Sequence, residues 1–303
     1  MKLATYRIKI DEQAKLGYID DNIVIDVNLL AEIAGEYLPA TMQSFIDAGI
    51  SAKTRLGELI KQYQGNWPAG TTSAVSDTRF LAPIPRPQKN IFGIGLNYTE
   101  HVAESARSLD TSAELPQEPV IFTKPPTTVT SWDSPIVHRN SLTQQLDWEV
   151  ELAVIIGSGG SSIPKEDALN HVFGYTIIND VSARDCRRAG QWIVSKGQDS
   201  FAPMGPIIVT ADEVKDPHNL NLWLKKNGEM KQNSNTKFML FKIPELIADI
   251  SSGMRLEPGD IIATGTPSGV GAGRDPQEWM WPGDIIEAGI EGIGTIRNPV
   301  IKG

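Results

Sequence analysis

The sequence has almost no sulfur chemistry to offer. Its 303 residues contain one cysteine, Cys186, which excludes an internal disulfide and fits a reducing, cytoplasmic setting. No histidine or helix start beside Cys186 is evident in the sequence, so it reads as an inert thiol. Four histidines are scattered along the chain without the spacing of a zinc site. Positive charge is also short. Lys and Arg number 28 against 37 Asp and Glu, for a net charge of −9, and no basic stripe forms, which argues against a nucleic-acid partner. No apolar run is long enough to span a bilayer, and the opening "MKLATYRIKI" reads as a strand rather than a signal peptide. What remains is globular composition, 40% hydrophobic and 21% charged, in a chain long enough for one large domain and one small one.

Residues 1–80 read as the small unit, an α/β domain. "YRIKI", "AKLGYID" and "NIVIDV" look like short strands, with Asp20 and Asp21 at a hairpin turn. "NLLAEIAGEYL" and "TMQSFIDAGISAKTRLGELIKQY" carry helical apolar spacing. Pro83, Pro85 and Pro87 then stiffen a connector. Residues 81–303 are glycine-rich and predominantly β, a barrel or roll with a few helices, giving an α+β chain overall. "PGDII" occurs twice, each time as a turn feeding a strand. "EDALNHVFG" and "FKIPELIADISSG" read as helices.

Four stretches carry chemistry. In "DWEVELAVIIG" a buried strand begins with acids, and residues at i and i+2 share a face, so Glu149 and Glu151 stand side by side at the mouth of a core. Like charges there repel and lose hydration. "GYTIIND" is a second strand that ends in Asp180. The residues alone leave two readings open: solvated strand ends, or an oxygen-ligand cluster suited to Mg²⁺ or Mn²⁺. In "IFGIGLNYTEHVAES", Asn97 is a helix cap with Glu100 three positions on, and His101 and Glu104 share a helix face. That pair is either a surface ion pair or a general base with its orienting carboxylate. Lys196 follows an apolar run and reads as a snorkelling surface lysine unless it is functional. "ATGTPSGVG" is a loop whose backbone N–H groups could cradle an anion.

The order of these stretches resembles the fumarylacetoacetate hydrolase family: "GIGLNYTEHVAE", "DWEVELAVIIG", "GYTIINDVSARD", "KGQDSFAPMGP" and "PGDIIATGTPSGVG", from about Leu81 to the C-terminus. The resemblance implies the family's mixed β-roll and a homodimer. It implies Glu149, Glu151 and Asp180 as ligands of Mg²⁺ or Mn²⁺. His101 and Glu104 match a catalytic dyad on a lid segment, and Lys196 a lysine facing the substrate oxyanion. Asn97, Tyr98, Gln198 and Thr266 fall at substrate-binding positions. The activity implied is metal-dependent hydrolysis of a C–C bond in a 2,4-dioxo acid of the acylpyruvate type. Decarboxylation of oxaloacetate, or isomerase or lyase chemistry on a related 2-oxo acid, would use the same enolate. A metal-binding protein without chemistry is the contrasting class. The sequence departs from the family's plainer pattern at "SARSLDTSAELPQEP" and "TTVTSWDSPIVHRN", which are expected to flank the cleft.

Overall fold

The structure, a computed structural model, describes residues 1–10, 12–108 and 114–303. Part of the departing stretch after His101 therefore lies outside the described residues. A twelve-stranded sheet forms the centre. The strand Val150–Ile156 pairs antiparallel with Val172–Asn179 on one side and Ile261–Ala263 on the other. Every residue of the first two strands is buried, which is why they read as continuous apolar runs. Ile261–Ala263 pairs in parallel with Ile91–Gly95, and that strand pairs with Val120–Lys124.

Side-chain alternation splits the interior into two cores. Val150, Leu152, Val154 and Ile156 face a second, five-stranded sheet and pack with Leu222, Leu224, Ile286 and Ala288. Ala153 and Ile155 face the other way, onto Phe45, Leu56 and Leu59 of the N-terminal helices. Each buried Val, Leu, Ile or Phe among them contributes roughly 1.5–3 kcal/mol from water exclusion. Glu149 and Glu151 lie on the same side as Ala153 and Ile155, at the strand's entrance.

The leading residues build the expected strands, Lys2–Arg7, Lys15–Asp20 and Ile23–Asp26, with the turn at Asp21. Lys2–Arg7 pairs with Ala202–Thr210, so these strands extend the central sheet and share its core. Between Arg79–Phe80 and Ile91 the proline-rich connector forms neither helix nor strand. The helical stretch 42–63 is two helices, Met42–Asp47 and Gly49–Tyr63, broken where Gly49 takes a φ of 64°. "FKIPELIADISSG" gives the helix Ile243–Gly253. "EDALNHVFG" does not form the expected helix. It makes only a 3₁₀ turn, Ala168–His171, because Val172 onward is drawn into the sheet, where pairing outweighs weak local propensity.

Candidate active site

Strand register assembles the acids. Val150 pairs with Asn179, so Glu149 lies across from Asp180, and the Asp180 N–H donates to the Glu149 carbonyl at 2.8 Å. Glu151 is the next residue on that face. One oxygen from each of Glu149, Glu151 and Asp180 lies within 4.8 Å of the other two, and all three residues are buried.

Three buried cations hold this cluster. Lys196 Nζ sits 2.7 Å from both Glu149 Oε2 and Asp180 Oδ2. Arg184 donates from Nη2 to Glu149 Oε1 at 2.6 Å and from Nε to Asp147 Oδ2 at 2.8 Å. Lys124, with no exposure at all, donates to Asp180 Oδ1 and to the carbonyls of Val181 and Lys196. Burial opposes the charge of Glu149, yet Lys196 and Arg184 hold it well below the usual carboxylate range. Burial also opposes the charge of Lys196, while Asp180 and Glu149 keep it high. Glu151 is the exception. Among the described residues its carboxylate accepts one hydrogen bond, from Gly265 N–H at 2.8 Å. Burial, Asp180 and Glu149 together push it far above the usual carboxylate range.

This donor set fits a hard divalent cation. Asp147, Glu149, Glu151 and Asp180 face Lys124, Arg184 and Lys196, so with every group ionised the cluster would carry one negative charge, and Glu151, which has no ion pair among the described residues, favours keeping a proton instead. A single ion at the convergence of three oxygens would relieve that carboxylate and leave the cluster net positive, ready for an anionic ligand.

His101 of the dyad enters the same cleft. On the helix Thr99–Ser108, His101 Nδ1 lies 3.1 Å from Glu104 Oε2, and both side chains are buried. Ser105 Oγ lies 3.5 Å from His101 Nε2. The cleft is lined by His101, Ser105, Glu149, Arg184, Lys196 and Thr266, with Phe122, Arg187 and Trp192 also on its wall.

The glycine loop does cradle anions, but they belong to the protein. Gly265 N–H holds Glu151, Gly269 N–H donates to Glu104 at 3.0 Å, and the N–H groups of Gly271 and Ala272 donate to Asp147. The loop thus joins the helix Thr99–Ser108 to the acid cluster.

Of the four residues expected at substrate positions, only Thr266 lines the cleft. Its hydroxyl donates to the Val150 carbonyl and accepts from Gln232 Nε2. Asn97 does not cap the helix Thr99–Ser108 through its side chain. It is fully buried, accepts from Phe241 N–H and donates to the carbonyls of Phe241 and Thr264. Tyr98 is buried, and its hydroxyl finds no partner among the described residues. Gln198 donates to the Val194 carbonyl outside the cleft wall. Cys186 is buried, and burial and Asp185 raise its thiol above the ordinary value. Sequence reasoning missed Lys124, Arg184 and Arg187. The available signal for Lys124 was a lysine closing an apolar strand, "VIFTK"; both arginines lie within or beside "VSARD".

Comparison with known proteins agrees with this arrangement. Residues 90–301 match the family described as fumarylacetoacetate (FAA) hydrolase, C-terminal. The chain is 46% identical over 228 residues to oxaloacetate tautomerase YisK of Bacillus subtilis (strain 168), covering 75% of this chain and 74% of that protein. A fumarylacetoacetate hydrolase structure from Exiguobacterium antarcticum superposes with a TM-score of 0.80 at 35% identity, covering 100% of both chains. The maleylpyruvate hydrolase of Sphingobium sp. SYK-6, solved with manganese(II) and pyruvate, superposes with a TM-score of 0.79 at 28% identity, also covering 100% of both chains. With the acid cluster, the dyad and these likenesses in agreement, the chain belongs to the fumarylacetoacetate hydrolase family of metal-dependent enzymes.

Proposed function

We propose that this protein interconverts the enol and keto forms of a 2-oxo acid of the oxaloacetate class, through an enolate, with Mg²⁺ or Mn²⁺ as cofactor. The observation that carries the reading is a single cleft whose wall includes both His101, held by Glu104, and Glu149, one of the three clustered carboxylates. A divalent cation bound there supplies Lewis-acid polarisation of the 2-oxo group and a counter-charge for the substrate carboxylate. Glu149, Glu151 and Asp180 would hold it. Glu104 fixes the His101 ring through Nδ1, which leaves Nε2 to carry a proton to and from substrate C3. Lys196 keeps Glu149 and Asp180 oriented and adds positive charge beside the oxygen where the enolate develops. The buried wall limits water, so the enolate is reprotonated by His101 rather than by solvent. The 46% identity to a protein named as an oxaloacetate tautomerase supports this choice.

Hydrolysis of a C–C bond in an acylpyruvate is the second reading, favoured by the likeness to maleylpyruvate hydrolase. There the same imidazole would deprotonate a water for attack at C4. Decarboxylation, isomerisation and lyase outcomes share the enolate. A non-catalytic metal protein would have no use for a buried His101–Glu104 pair that presents His101 to the cleft. The homodimer is part of the proposal and is checked by light scattering against the chain mass of 33.1 kDa.

The test follows enol absorbance for oxaloacetate and several acylpyruvates with Mg²⁺, with Mn²⁺ and with EDTA. Metal-dependent acceleration of the keto–enol exchange of oxaloacetate, without pyruvate, is expected. Pyruvate from an acylpyruvate would select hydrolysis, and pyruvate with CO₂ from oxaloacetate would select decarboxylation. No effect on any substrate, with metal bound, would refute the enolate reading.

A further inference from the structure

Three cations line the cleft: Arg184, Arg187 and Lys196. Two are spent. Arg184 is paired with Asp147 and Glu149, and Lys196 with Glu149 and Asp180. Arg187 has no hydrogen bond or ion pair with any acid among the described residues. It is nevertheless held in place, because its guanidinium carbon stacks 4.4 Å from the centroid of Trp192.

That placement is built by the backbone. Arg188 and Gln191 exchange both backbone hydrogen bonds around a turn whose central residues, Ala189 and Gly190, take φ values of 47° and 77°. Such a turn sets the flanking residues, Arg187 and Trp192, across from each other. Trp192 rests against Phe122, with ring centroids 5.2 Å apart, and over Gly95, where any Cβ would lie 2.6 Å from the indole. The stacked arginine is thus seated on the cleft wall, and burial and the neighbouring Arg184 lower its pKa, although Glu149 opposes them from a distance. Half-burying an unpaired guanidinium is unfavourable unless a ligand completes it.

We infer that Arg187 is a specificity-determining residue that recognises a second carboxylate, on the arm of the substrate remote from the 2-oxo acid group. The acid cluster takes the 2-oxo acid end, and the planar guanidinium offers parallel N–H donors matched to a carboxylate. The preferred substrates are therefore dicarboxylic 2-oxo acids rather than acylpyruvates with an apolar arm. This inference rests on the enolate reading for which end of the substrate enters first.

A binding measurement separates the two ideas. The Mn²⁺-loaded protein is titrated by calorimetry with malate and with 2-hydroxybutyrate, non-reacting 2-hydroxy acids that differ in a remote carboxylate. The wild type should prefer malate, and Arg187→Met should reduce that preference by roughly tenfold or more, the scale of losing one charge-assisted pair. Arg187→Lys should retain part of it. Trp192→Ala, which removes the platform, should also reduce it. A preference unchanged in Arg187→Met, or absent in the wild type, overturns the inference. If the preference behaves as expected while oxaloacetate is not turned over, Arg187 keeps its role and the reaction assignment fails. If oxaloacetate is turned over while the preference ignores Arg187, the reverse holds.

Discussion

Single residues in this site act through what they neutralise. His101 touches none of the three carboxylates by hydrogen bond, so its loss should spare the ion. In His101→Ala, stopped-flow turnover should fall by about 10²–10⁴, the usual contribution of a positioned base, while calorimetric Mn²⁺ affinity stays within a few-fold. Collapse of that affinity would make His101 a ligand instead. Lys124 works in the opposite way. Its three donors hold Asp180 and two backbone carbonyls in a site without solvent. Lys124→Met strands those acceptors, and breaking such a buried pair costs about 3–5 kcal/mol. Denaturant unfolding should show that loss, and Mn²⁺ binding should weaken with it because Asp180 is no longer oriented. Unaltered metal affinity would mean that Asp180 holds its position without Lys124.

At the scale of elements, the glycine loop and the helix Thr99–Ser108 form one unit. Gly269 takes a φ of 101°, and a Cβ there would lie 2.1 Å from the Lys231 carbonyl oxygen. Gly269→Ala must therefore shift the loop and withdraw the N–H that Glu104 accepts, lowering Tm and kcat together. A variant with wild-type Tm and kcat would show that the loop does not position the dyad. The helix Ile243–Gly253 carries a pH dependence of its own. Its first N–H, from Ile243, donates to His218 Nε2 at 3.2 Å, which only the neutral ring can accept. Burial and Lys242 hold His218 below its ordinary value of 6.5, although Asp216 opposes them. The folded chain thus binds this proton less well than the unfolded chain. The contribution is complete above about pH 6.5 and is lost as pH falls through the lowered value. In the ion-loaded protein, where Glu151 carries no proton, Tm should decline in that direction, and His218→Asn should flatten the slope.

For the whole molecule, ion binding, folding and protonation are linked. Glu151 lies well above the ordinary carboxylate value of 4.5, so the ion-free folded chain holds a proton there that the unfolded chain has released. Ion-free stability should accordingly fall as pH rises above that value. An ion must displace the proton, so Mg²⁺ or Mn²⁺ affinity should increase with pH. Calorimetry in buffers of differing ionisation enthalpy should report release of about one proton per ion. No release would place the proton elsewhere than at the ligand set. Saturating ion should also stabilise the fold, by about 2.7 kcal/mol at a hundred times Kd, which EDTA reverses. An unchanged Tm on EDTA treatment of the ion-loaded protein would count against a site built from the core strands.

Much of this was local enough to be legible in the chain. Strand periodicity placed Glu149 and Glu151 on one face, because side chains alternate across a strand whatever surrounds it. The same holds for His101 and Glu104, three residues apart on a helix. Motif order indicated the family, and with it Asp180 and Lys196. The 3₁₀ turn at Ala168–His171 and the pairing of Lys2–Arg7 with Ala202–Thr210 were not legible, because distant strands compete with local preference for the same residues. Nor were the partners of the buried charges. Lys124 and Asp180 are 56 positions apart, and Asp147 and Gly271 are 124 apart, so only the folded backbone brings donor to acceptor. Asn97 shows the same limit: its sequence context suits a helix cap, yet its amide ties together two loops far along the chain. The sequence by itself determined which residue types converge and the chemistry they offer. Only the tertiary structure decided which charges neutralise one another and which, like Arg187, are left for a ligand, because pairing depends on distances that no local pattern encodes.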